Sequence, residues 1–594
     1  MRSWARWAAA LTTTVLLAGA TLTGPAPSPA LAGPSPAGSS ALAQPAMKIR
    51  VAFVAAPGDV PPAIIGSPTA ISGAAYKVYD DADTLVLTGT VQNASLAASA
   101  DRDAHEVWSH YYSAALNQLT PGRYQVRVNG VRSAYFDVTT TAWADVLQTL
   151  LPVFRANADG TEPATPYHAP SHLNDATSKI ANGPHAGTAI DVRGGWMDAG
   201  DQLKFTQTIA YATSMFELAG RNEAATRSTL YARAAIGIRF LLKAHPSPDV
   251  FVTQVGNATI DHDYGFRDPA TDDASANQGI AHRKTYVING ATTGGSDVAA
   301  MAAAALALEA EHRSGTYRTQ LVTAAEEWLA KAESLKKAWV NCCYQQDTWR
   351  DDVAFAHAVL WRVTGQTSHA QAAVAALNTV TNSGADSWRI TADGYDVAVL
   401  PAAELCGSLG APAAPAAYKN PACAVLASGG DNMEWEVAHR TAFGRAGQPL
   451  WGAVRNDLAD AVTLQLADRA GPHDYSPSMR RATGWFLGVN PWGVRLQVVG
   501  RSGTGTVTNG VTGPYHWTTG IGAPRIAGAV PGGPDTQADI DSQRGYCCPP
   551  VVLTNLDTPE QVYHRDDHQD YVMNEIGLAY NAPALLLFAL LSPA

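Results

Sequence analysis

Asp198 and Asp201 lie three residues apart, and this pair of carboxyl groups is the part of the chain best suited to acid–base catalysis. They close the string Gly-Gly-Trp-Met-Asp-Ala-Gly-Asp over 194–201, in which Gly200 separates them and Trp196 precedes them. Glycine lets the backbone turn tightly and approach a ligand closely. Two carboxyl groups beside an aromatic ring are typical of sites that bind and hydrolyse sugars. The pair could instead cap a helix, because carboxylates favour helix N-termini.

A helix predicted just after the pair would hold it in place. An apolar stripe at helical spacing runs through 204–220 and consists of Phe205, Ile209, Ala212, Phe216 and Ala219. The two aspartates are therefore predicted to lie on a turn that opens a helix.

The rest of the chain divides into a β-rich part and a helical part. Short strand candidates such as 76–79, 124–128 and 134–138 lie between residues 48 and 140, and Asn129-Gly130 is a hairpin turn signal. Several short strands in so small a region predict a β-sandwich. After residue 141 helices are predicted near 143–156, 204–220, 225–244, 296–311, 317–338, 351–364, 369–381, 431–443, 451–469, 475–488 and 571–592.

Five ordered segments resemble glycoside hydrolase family 9, the inverting cellulase family. They are His172 to Ala176, the Asp-Ala-Gly-Asp block, Gly294 to Ala299, Tyr344 with Trp349 to Asp352, and a C-terminal block that runs from Leu487 to Glu575. The last block carries Asp566-Asp567, Tyr571 and Asn574-Glu575 at the family's spacing. The resemblance implies an (α/α)6 barrel over 141–594, preceded by an immunoglobulin-like β-sandwich over 48–140.

The resemblance also implies roles for individual residues. Glu575 would be the general acid. Asp201 is the candidate general base and Asp198 its partner, which positions the attacking water, and the sequence leaves open which of the two aspartates takes the proton. His516, Tyr344, Trp196 and Tyr571 would bind substrate, although a merely packed Tyr344 is an equal alternative. Without the resemblance, Ser296, Asp297, Asp351 and Asp352 would be read as helix caps.

The chain departs from the family at one segment that contacts sugar. Family cellulases usually have a His-His-Arg cluster there, whereas this chain has Gly513-Pro514-Tyr515-His516-Trp517 and lacks the arginine. A missing arginine removes a rigid, multidentate donor. The leading hypothesis is a β-1,4-glucan hydrolase. The alternatives are an exo-acting glucosidase or glucosaminidase, a hydrolase of mixed-linkage glucan or xyloglucan, and an inactive sugar-binding protein.

Composition and the N-terminus indicate a secreted protein. The net charge of −11 argues against nucleic acid as a partner. Residues 1–32 have the charged, apolar and small-residue regions of a signal peptide, and 33–47 form a flexible Pro/Ala-rich segment. We therefore expect an extracellular monomer with no membrane contact after signal removal.

Six cysteines in an exported chain favour disulfides, and Cys406 with Cys423 would close a short loop. The resemblance implies no required cofactor but leaves room for structural calcium. Its ligands would come from an acidic loop made of Asp261, Asp263, Asp268, Asp272 and Asp273. The alternative is that this loop is simply solvated.

Overall fold

A computed structural model of the protein describes residues 44–96, 107–341, 343–382, 390–444, 451–502, 505–543, 554–557, 562–563 and 565–592. Strands dominate up to Val138 and helices dominate from Ala142 onward. The predicted signal peptide, as well as Cys342, Cys547 and Cys548, lies outside the described residues.

Two β-sheets make up the N-terminal part. Their strands are β1 (Lys48–Arg50), β2 (Val54–Ala55), β3 (Ala63–Ser67), β4 (Ala75–Asp80), β5 (Leu85–Thr90), β6 (Gln92–Asn93), β7 (His110–Ala114), β8 (Gly122–Val128), β9 (Val131–Arg132) and β10 (Phe136–Val138). One sheet has the order β1-β3-β7-β6 and the other β2-β10-β8-β4-β5, with β9 paired to β8. Asn129 and Gly130 both have positive φ and connect β8 to β9, as the hairpin signal predicted.

The sheets pack directly against the helical part. The Phe53 amide donates to the Leu487 carbonyl at 3.0 Å, and the Arg50 guanidinium donates to the Pro491 carbonyl. The rings of Trp108 and Tyr111 contact Phe443 with centroids 6.4 and 5.6 Å apart. Backbone bonds and aromatic contacts thus join the two parts.

Paired helices form the second part. The helices are α1 (Ala142–Thr149), α2 (Leu151–Ala156), α3 (Thr206–Asn222), α4 (Arg227–Lys243), α5 (Ala258–Tyr264), α6 (Gln278–Ala281), α7 (Gly290–Thr293), α8 (Ser296–Glu311), α9 (Gly315–Leu335), α10 (Arg350–Thr364), α11 (Thr367–Asn382), α12 (Val399–Cys406), α13 (Ala416–His439), α14 (Ala453–Ala470), α15 (Ser476–Leu487), α16 (Trp517–Gly520), α17 (Gln537–Ser542), α18 (Tyr571–Asn574) and α19 (Leu578–Leu591). Two 3₁₀ helices span Leu173–Thr177 and Pro269–Ala274.

The long helices close into a ring. In the described part of the chain, α3, α8, α10, α12, α14 and α19 each contact the next, and α19 returns to α3. Outside this ring α4, α9, α11, α13, α15 and α1 pack against its members. The alanine-rich α8 is buried along nearly its whole length, as an inner helix requires. This arrangement confirms the predicted (α/α)6 barrel and β-sandwich.

Short strands line the loops around the barrel. They are β11 (Ser178–Lys179), β12 (Ala189–Ile190), β13 (Lys204–Phe205), β14 (Val252–Val255), β15 (Thr285–Val287), β16 (Arg495–Val498), β17 (Gly500–Ser502), β18 (Gly505–Val507), β19 (Gly510–Val511), β20 (Asp535–Thr536) and β21 (Val562–Tyr563). The sheet β13-β14-β15 ties the start of α3 to the loop that follows α4.

Several helix boundaries differ from the prediction. The helix predicted over 143–156 is interrupted at Leu150, and α13 begins at Ala416 rather than near 431 despite Pro421 inside it. The inner helix α12 has only eight residues and was not predicted. The helix predicted over 571–592 breaks at Glu575, whose backbone is extended.

Cys406 and Cys423 form the predicted disulfide, which joins the end of α12 to α13. Cys343 is disulfide-bonded as well. None of the helices in the described ranges combines the length and apolar character needed to cross a bilayer.

Candidate active site

The turn that carries Asp198 and Asp201 is fixed by its own backbone. The Asp198 amide donates to the Leu203 carbonyl at 2.8 Å, and the Leu203 amide donates to Asp201 Oδ1 at 3.2 Å. Gly194, which leads into the turn, has a φ of 88°, a conformation that favours glycine. The turn leads through β13 into α3, so the aspartates sit at the mouth of the inner ring.

Glu575 meets this turn although the two are far apart in sequence. The Gly200 amide lies 3.4 Å from Glu575 Oε1, across a separation of 375 residues. A Cβ on Gly200 would stand 2.9 Å from the Tyr515 ring and 3.2 Å from Glu575 Oε1. Only glycine therefore lets the turn approach the glutamate this closely.

Backbone bonds hold the glutamate against the turn. The Tyr515 amide donates to the Asn574 carbonyl at 2.8 Å, and the Ile576 amide donates to the Tyr515 carbonyl at 3.3 Å. On the other side, the Leu578 amide donates to the Asp198 carbonyl at 2.8 Å. These bonds replace helical ones, which explains why the helix breaks at Glu575.

A buried ion cluster lies behind the turn. Lys204 Nζ contacts Asp159 at 2.5 Å and Asp175 at 3.0 Å, and it also donates to the Val192 and Gly194 carbonyls. Arg283 contacts the same two carboxylates and donates to the Gln202 carbonyl at 2.5 Å. All four charged side chains are buried. The cluster fixes the backbone on both flanks of the two aspartates.

Replacing Arg283 by methionine is expected to destabilise the protein by about 3–5 kcal/mol, because it removes one of the two buried cations that bridge Asp159 and Asp175. Urea unfolding followed by tryptophan fluorescence would measure the change. The matched control is Arg239→Met, which breaks the half-exposed pair with Glu162. The control should cost about 0–1 kcal/mol, and equal losses in the two variants would contradict the role given to the cluster.

Asp198 is buried and accepts hydrogen bonds on both carboxylate oxygens. Thr208 Oγ1 donates to Oδ1 at 2.5 Å, and the Tyr344 hydroxyl donates to Oδ2. Burial, and then the charge of Asp201, raises the pKa of Asp198 to about 7. Tyr344 thus contacts a carboxylate of the pair, and its ring packs edge-on against Phe205 at 5.0 Å.

Asp201 is more exposed and has a cationic partner. Its Oδ2 lies 3.0 Å from His262 Nε2. That hydrogen bond raises the pKa of His262 to about 9. Burial, and then the charges of Asp201 and Asp198, raises the pKa of Glu575 to about 8. At neutral pH these shifts favour a protonated Glu575 close to a positively charged imidazole on His262.

Aromatic rings surround the glutamate. Trp451, which is 39% exposed, stacks on Tyr571 with centroids 5.5 Å apart. Tyr515 stands edge-on to Tyr571 at 5.6 Å and contacts Phe266 at 4.6 Å. The Tyr571 hydroxyl donates to Gln543 Oε1 at 2.6 Å. These rings give the site a partly exposed apolar wall.

Comparison with known proteins places this arrangement in a family. The model of the family described as Glycosyl hydrolase family 9 matches residues 143–588. The chain belongs to glycosyl hydrolase family 9. The match covers nearly all of the helical part, including both the aspartate turn and Glu575.

Relatives and solved structures agree with the family match. Endoglucanase B of Cellulomonas fimi is 25% identical over 486 residues, which cover 75% of this chain but only 41% of that protein. Endoglucanase 5 of Arabidopsis thaliana is 29% identical over 230 residues, 36% of this chain and 34% of that protein. A metagenome-derived family 9 endoglucanase of known crystal structure has a TM-score of 0.71 at 19% identity, and the match covers 91% of this chain and 98% of that one.

Two residues predicted to bind substrate in this family 9 chain have no exposed surface. Trp196 is fully buried, with its ring between Phe154 and Phe216 at 5.9 and 6.0 Å. His516 is also buried and bonds to Asn157 Oδ1 at 2.8 Å. Both predictions need correction, because the polypeptide directs these rings into the core behind the turn. Burial lowers the pKa of His516 to about 3, so it is neutral.

The acidic loop that was a candidate for structural calcium is closely bonded to its surroundings. Four of its carboxylates are already bonded within the protein: Asp261 to Arg267 and the Gln202 amide, Asp268 to the Ala270 amide, Asp272 to Arg267 and His172, and Asp273 to the Leu173 and Asn174 amides. The solvated alternative holds for part of the loop, since residues 262–265, among them Asp263, are exposed. The bonded carboxylates make the rest of the segment a cross-linked wall of the site.

The predicted helix caps also take other roles. Asp297 accepts from the Trp339 amide at 2.8 Å, and Ser296 donates to the Ala332 carbonyl. Asp351 accepts from the Val397 amide at 2.8 Å. Asp352 is buried, and burial together with the charges of Asp351 and Asp297 raises its pKa well above the ordinary value. These carboxyl groups thus connect inner helices to neighbouring loops.

The sequence prediction missed several residues at the site. His262, Thr208 and Trp451 are not among the predicted site residues. His262 was missed because only the acidic residues of the Asp-His-Asp string at 261–263 were considered. An imidazole flanked by two carboxylates, as in Asp261-His262-Asp263, could have indicated a site residue.

Proposed function

We propose that this chain is a secreted glycoside hydrolase that cleaves β-1,4-glucan chains by single displacement with inversion. The observation that supports it best is the contact between Glu575 and the aspartate turn. It brings a carboxyl group of raised pKa and a more exposed carboxylate into one site. Inverting glycosidases need this combination of an acid and a base.

Glu575 acts as the general acid in this proposal. Its pKa of about 8 keeps it protonated at neutral pH, so it can give a proton to the glycosidic oxygen as the bond breaks. Desolvation and the charges of Asp201 and Asp198 cause this rise in pKa. Both aspartates lie on the turn that Glu575 contacts. The departing sugar thereby leaves as an alcohol rather than as an alkoxide.

Asp201 acts as the general base, and Asp198 helps to position the water. Asp201 is the more exposed of the two and is ion-paired with His262. Both oxygens of Asp198 are engaged by Thr208 and Tyr344, which suits a fixed acceptor better than a group that takes up a proton. Water held between the aspartates would attack the anomeric carbon from the face opposite the leaving group.

Trp451 and Tyr571 supply a surface for sugar rings in this scheme. Their stacked, partly exposed rings lie on the Glu575 side of the site. Sugars present apolar C–H faces that bury well on aromatic rings. His516 and Trp196 support the turn from behind instead of touching substrate.

Replacing His262 by glutamine is expected to move the alkaline limb of the kcat/KM profile upward. The limb should lie near pH 8 in the natural enzyme, where Glu575 loses its proton. The His262 cation lowers the pKa of Glu575, so its removal lets that pKa rise further. Initial rates on a soluble β-glucan across pH would measure it, with the distant His185→Gln variant as control. A limb that stays in place or moves down would contradict the coupling.

The function is tested by the products. Proton NMR during early hydrolysis of cellotetraose should show the α-anomer first, and a β-anomer would rule out inversion. A panel of cellulose, mixed-linkage glucan, xyloglucan and chitosan oligosaccharides identifies the substrate. Falling viscosity indicates endo attack, monosaccharide release alone indicates exo attack, and binding without hydrolysis on every substrate would point to a sugar-binding protein.

A further inference from the structure

A second group of titratable side chains lies at the far end of the barrel from the catalytic turn. Glu217 is on α3, and Glu309 and His312 lie at the end of α8. One ligand atom from each lies within 4.8 Å of the others. Glu217 follows Thr208 by nine residues, which places it about 14 Å further along α3. The group is therefore separate from the aspartates and Glu575.

The contacts in this group leave a carboxylate oxygen without a partner. His312 Nε2 lies 2.8 Å from Glu217 Oε2 and 3.3 Å from Glu309 Oε2. Glu217 is 2% exposed, and its Oε1 receives no hydrogen bond from any residue in the described ranges. Burial, and also the adjacent Glu309, raises the pKa of Glu217 to about 8. Two buried carboxyl groups thus share one imidazole, and a cation would stabilise both in their charged form.

The ligand types and distances suit zinc. Tetrahedral zinc binds imidazole nitrogen and carboxylate oxygen at about 2.0–2.2 Å, which separates neighbouring ligand atoms by about 3.3 Å. The two contacts of His312, at 2.8 and 3.3 Å, lie within about half an ångström of that spacing, and all three ligand atoms lie within 4.8 Å of one another. Calcium and magnesium prefer oxygen-only sites, whereas an imidazole favours zinc and its neighbours.

The surroundings would hold such a site in shape. The Tyr231 ring stacks on the His312 ring with centroids 3.9 Å apart and planes within 5°. Arg313 donates to Glu309 Oε1 at 2.7 Å, which leaves Oε2 for a ligand. Partners of this kind orient metal ligands. The His312 side chain is 22% exposed, so solvent can reach the site and supply a fourth ligand.

We propose that Glu217, Glu309 and His312 form a binding site for a divalent transition metal, best suited to Zn²⁺. The metal would cross-link α3 and α8, the two inner helices whose opposite ends lie near the catalytic turn. This proposal does not depend on the identity of the substrate or on the assignment of the acid and base.

Zinc titration of the full chain, freed of any histidine tag and treated with chelator, tests the site. Calorimetry should show one equivalent of Zn²⁺ bound and a rise in Tm. Glu217→Gln and His312→Gln should each weaken binding more than about tenfold, because each removes a ligand. The matched control is His473→Gln, which breaks a single exposed His–Glu pair and should leave binding unchanged.

Cobalt provides a readout that needs no variant. One equivalent of Co²⁺ added to the natural chain should give the visible absorption bands of a tetrahedral nitrogen–oxygen site, and Zn²⁺ should displace them. Absence of these bands, or zinc affinity equal in the natural chain and in His312→Gln, would overturn the proposal.

Discussion

Glu575→Gln is expected to lower kcat on cellotetraose by about 10²–10⁴-fold, because general acid catalysis contributes roughly that much. Glutamine keeps the size of the side chain and can still face the Gly200 amide, so the fold should survive. The factor by which kcat falls should be smaller on an aryl cellotrioside with a dinitrophenolate leaving group, because this group departs without needing a proton. Comparing the two substrates in the variant and in the natural enzyme measures the role of the proton directly.

The control for this result is Glu434→Gln, a partly exposed glutamate remote from the site. Its rates should match those of the natural enzyme on both substrates. If Glu575→Gln lost equal factors on both substrates, the glutamate would not be the proton donor to the leaving group. Circular dichroism and Tm of each variant distinguish lost chemistry from lost structure.

Asp201→Asn is expected to lower kcat by a similar factor of about 10²–10⁴, but on both kinds of substrate. Activating the water is still required when the leaving group is good, so a better leaving group cannot compensate. The substitution also removes a negative charge that raises the pKa of Glu575. The alkaline limb of the residual activity should therefore move to lower pH.

Asp263→Asn is the matched control, since this exposed aspartate is close in sequence to His262. It should leave both the rate and the pH profile unchanged. Recovery of Asp201→Asn on the activated substrate would contradict its role as base and would turn attention to Asp198, whose pKa is raised to about 7.

Much of the fold could be predicted from local patterns. The helical stripe through 204–220 marks α3, and the Asn129-Gly130 signal marks the β8–β9 turn. The break at Glu575 could not be predicted in this way. It depends on backbone bonds to Tyr515 and Gly532, which are distant in sequence. The local sequence favours a continuous helix, and tertiary contacts override it.

In the candidate site, too, local features could be predicted from the sequence and features set by tertiary contacts could not. The motifs indicated the carboxyl groups, because their types and spacing are local properties. The fate of the neighbouring rings was not local: Trp196 turns inward against Phe154 and Phe216, whereas Trp451 stays exposed on Tyr571. Whether an aromatic ring meets solvent or core depends on which helices close over it, and the sequence near the ring does not record that.

The joint between the β-sheets and the barrel limits how far the protein can be shortened. A truncated enzyme cut at residue 143, where the family match begins, would uncover Phe443 and leave the Leu487 carbonyl without its donor. Apolar surface that the truncation exposes to solvent would promote self-association. For biotechnology, the smallest usable catalyst therefore retains the sheets as a permanent lining of the barrel wall.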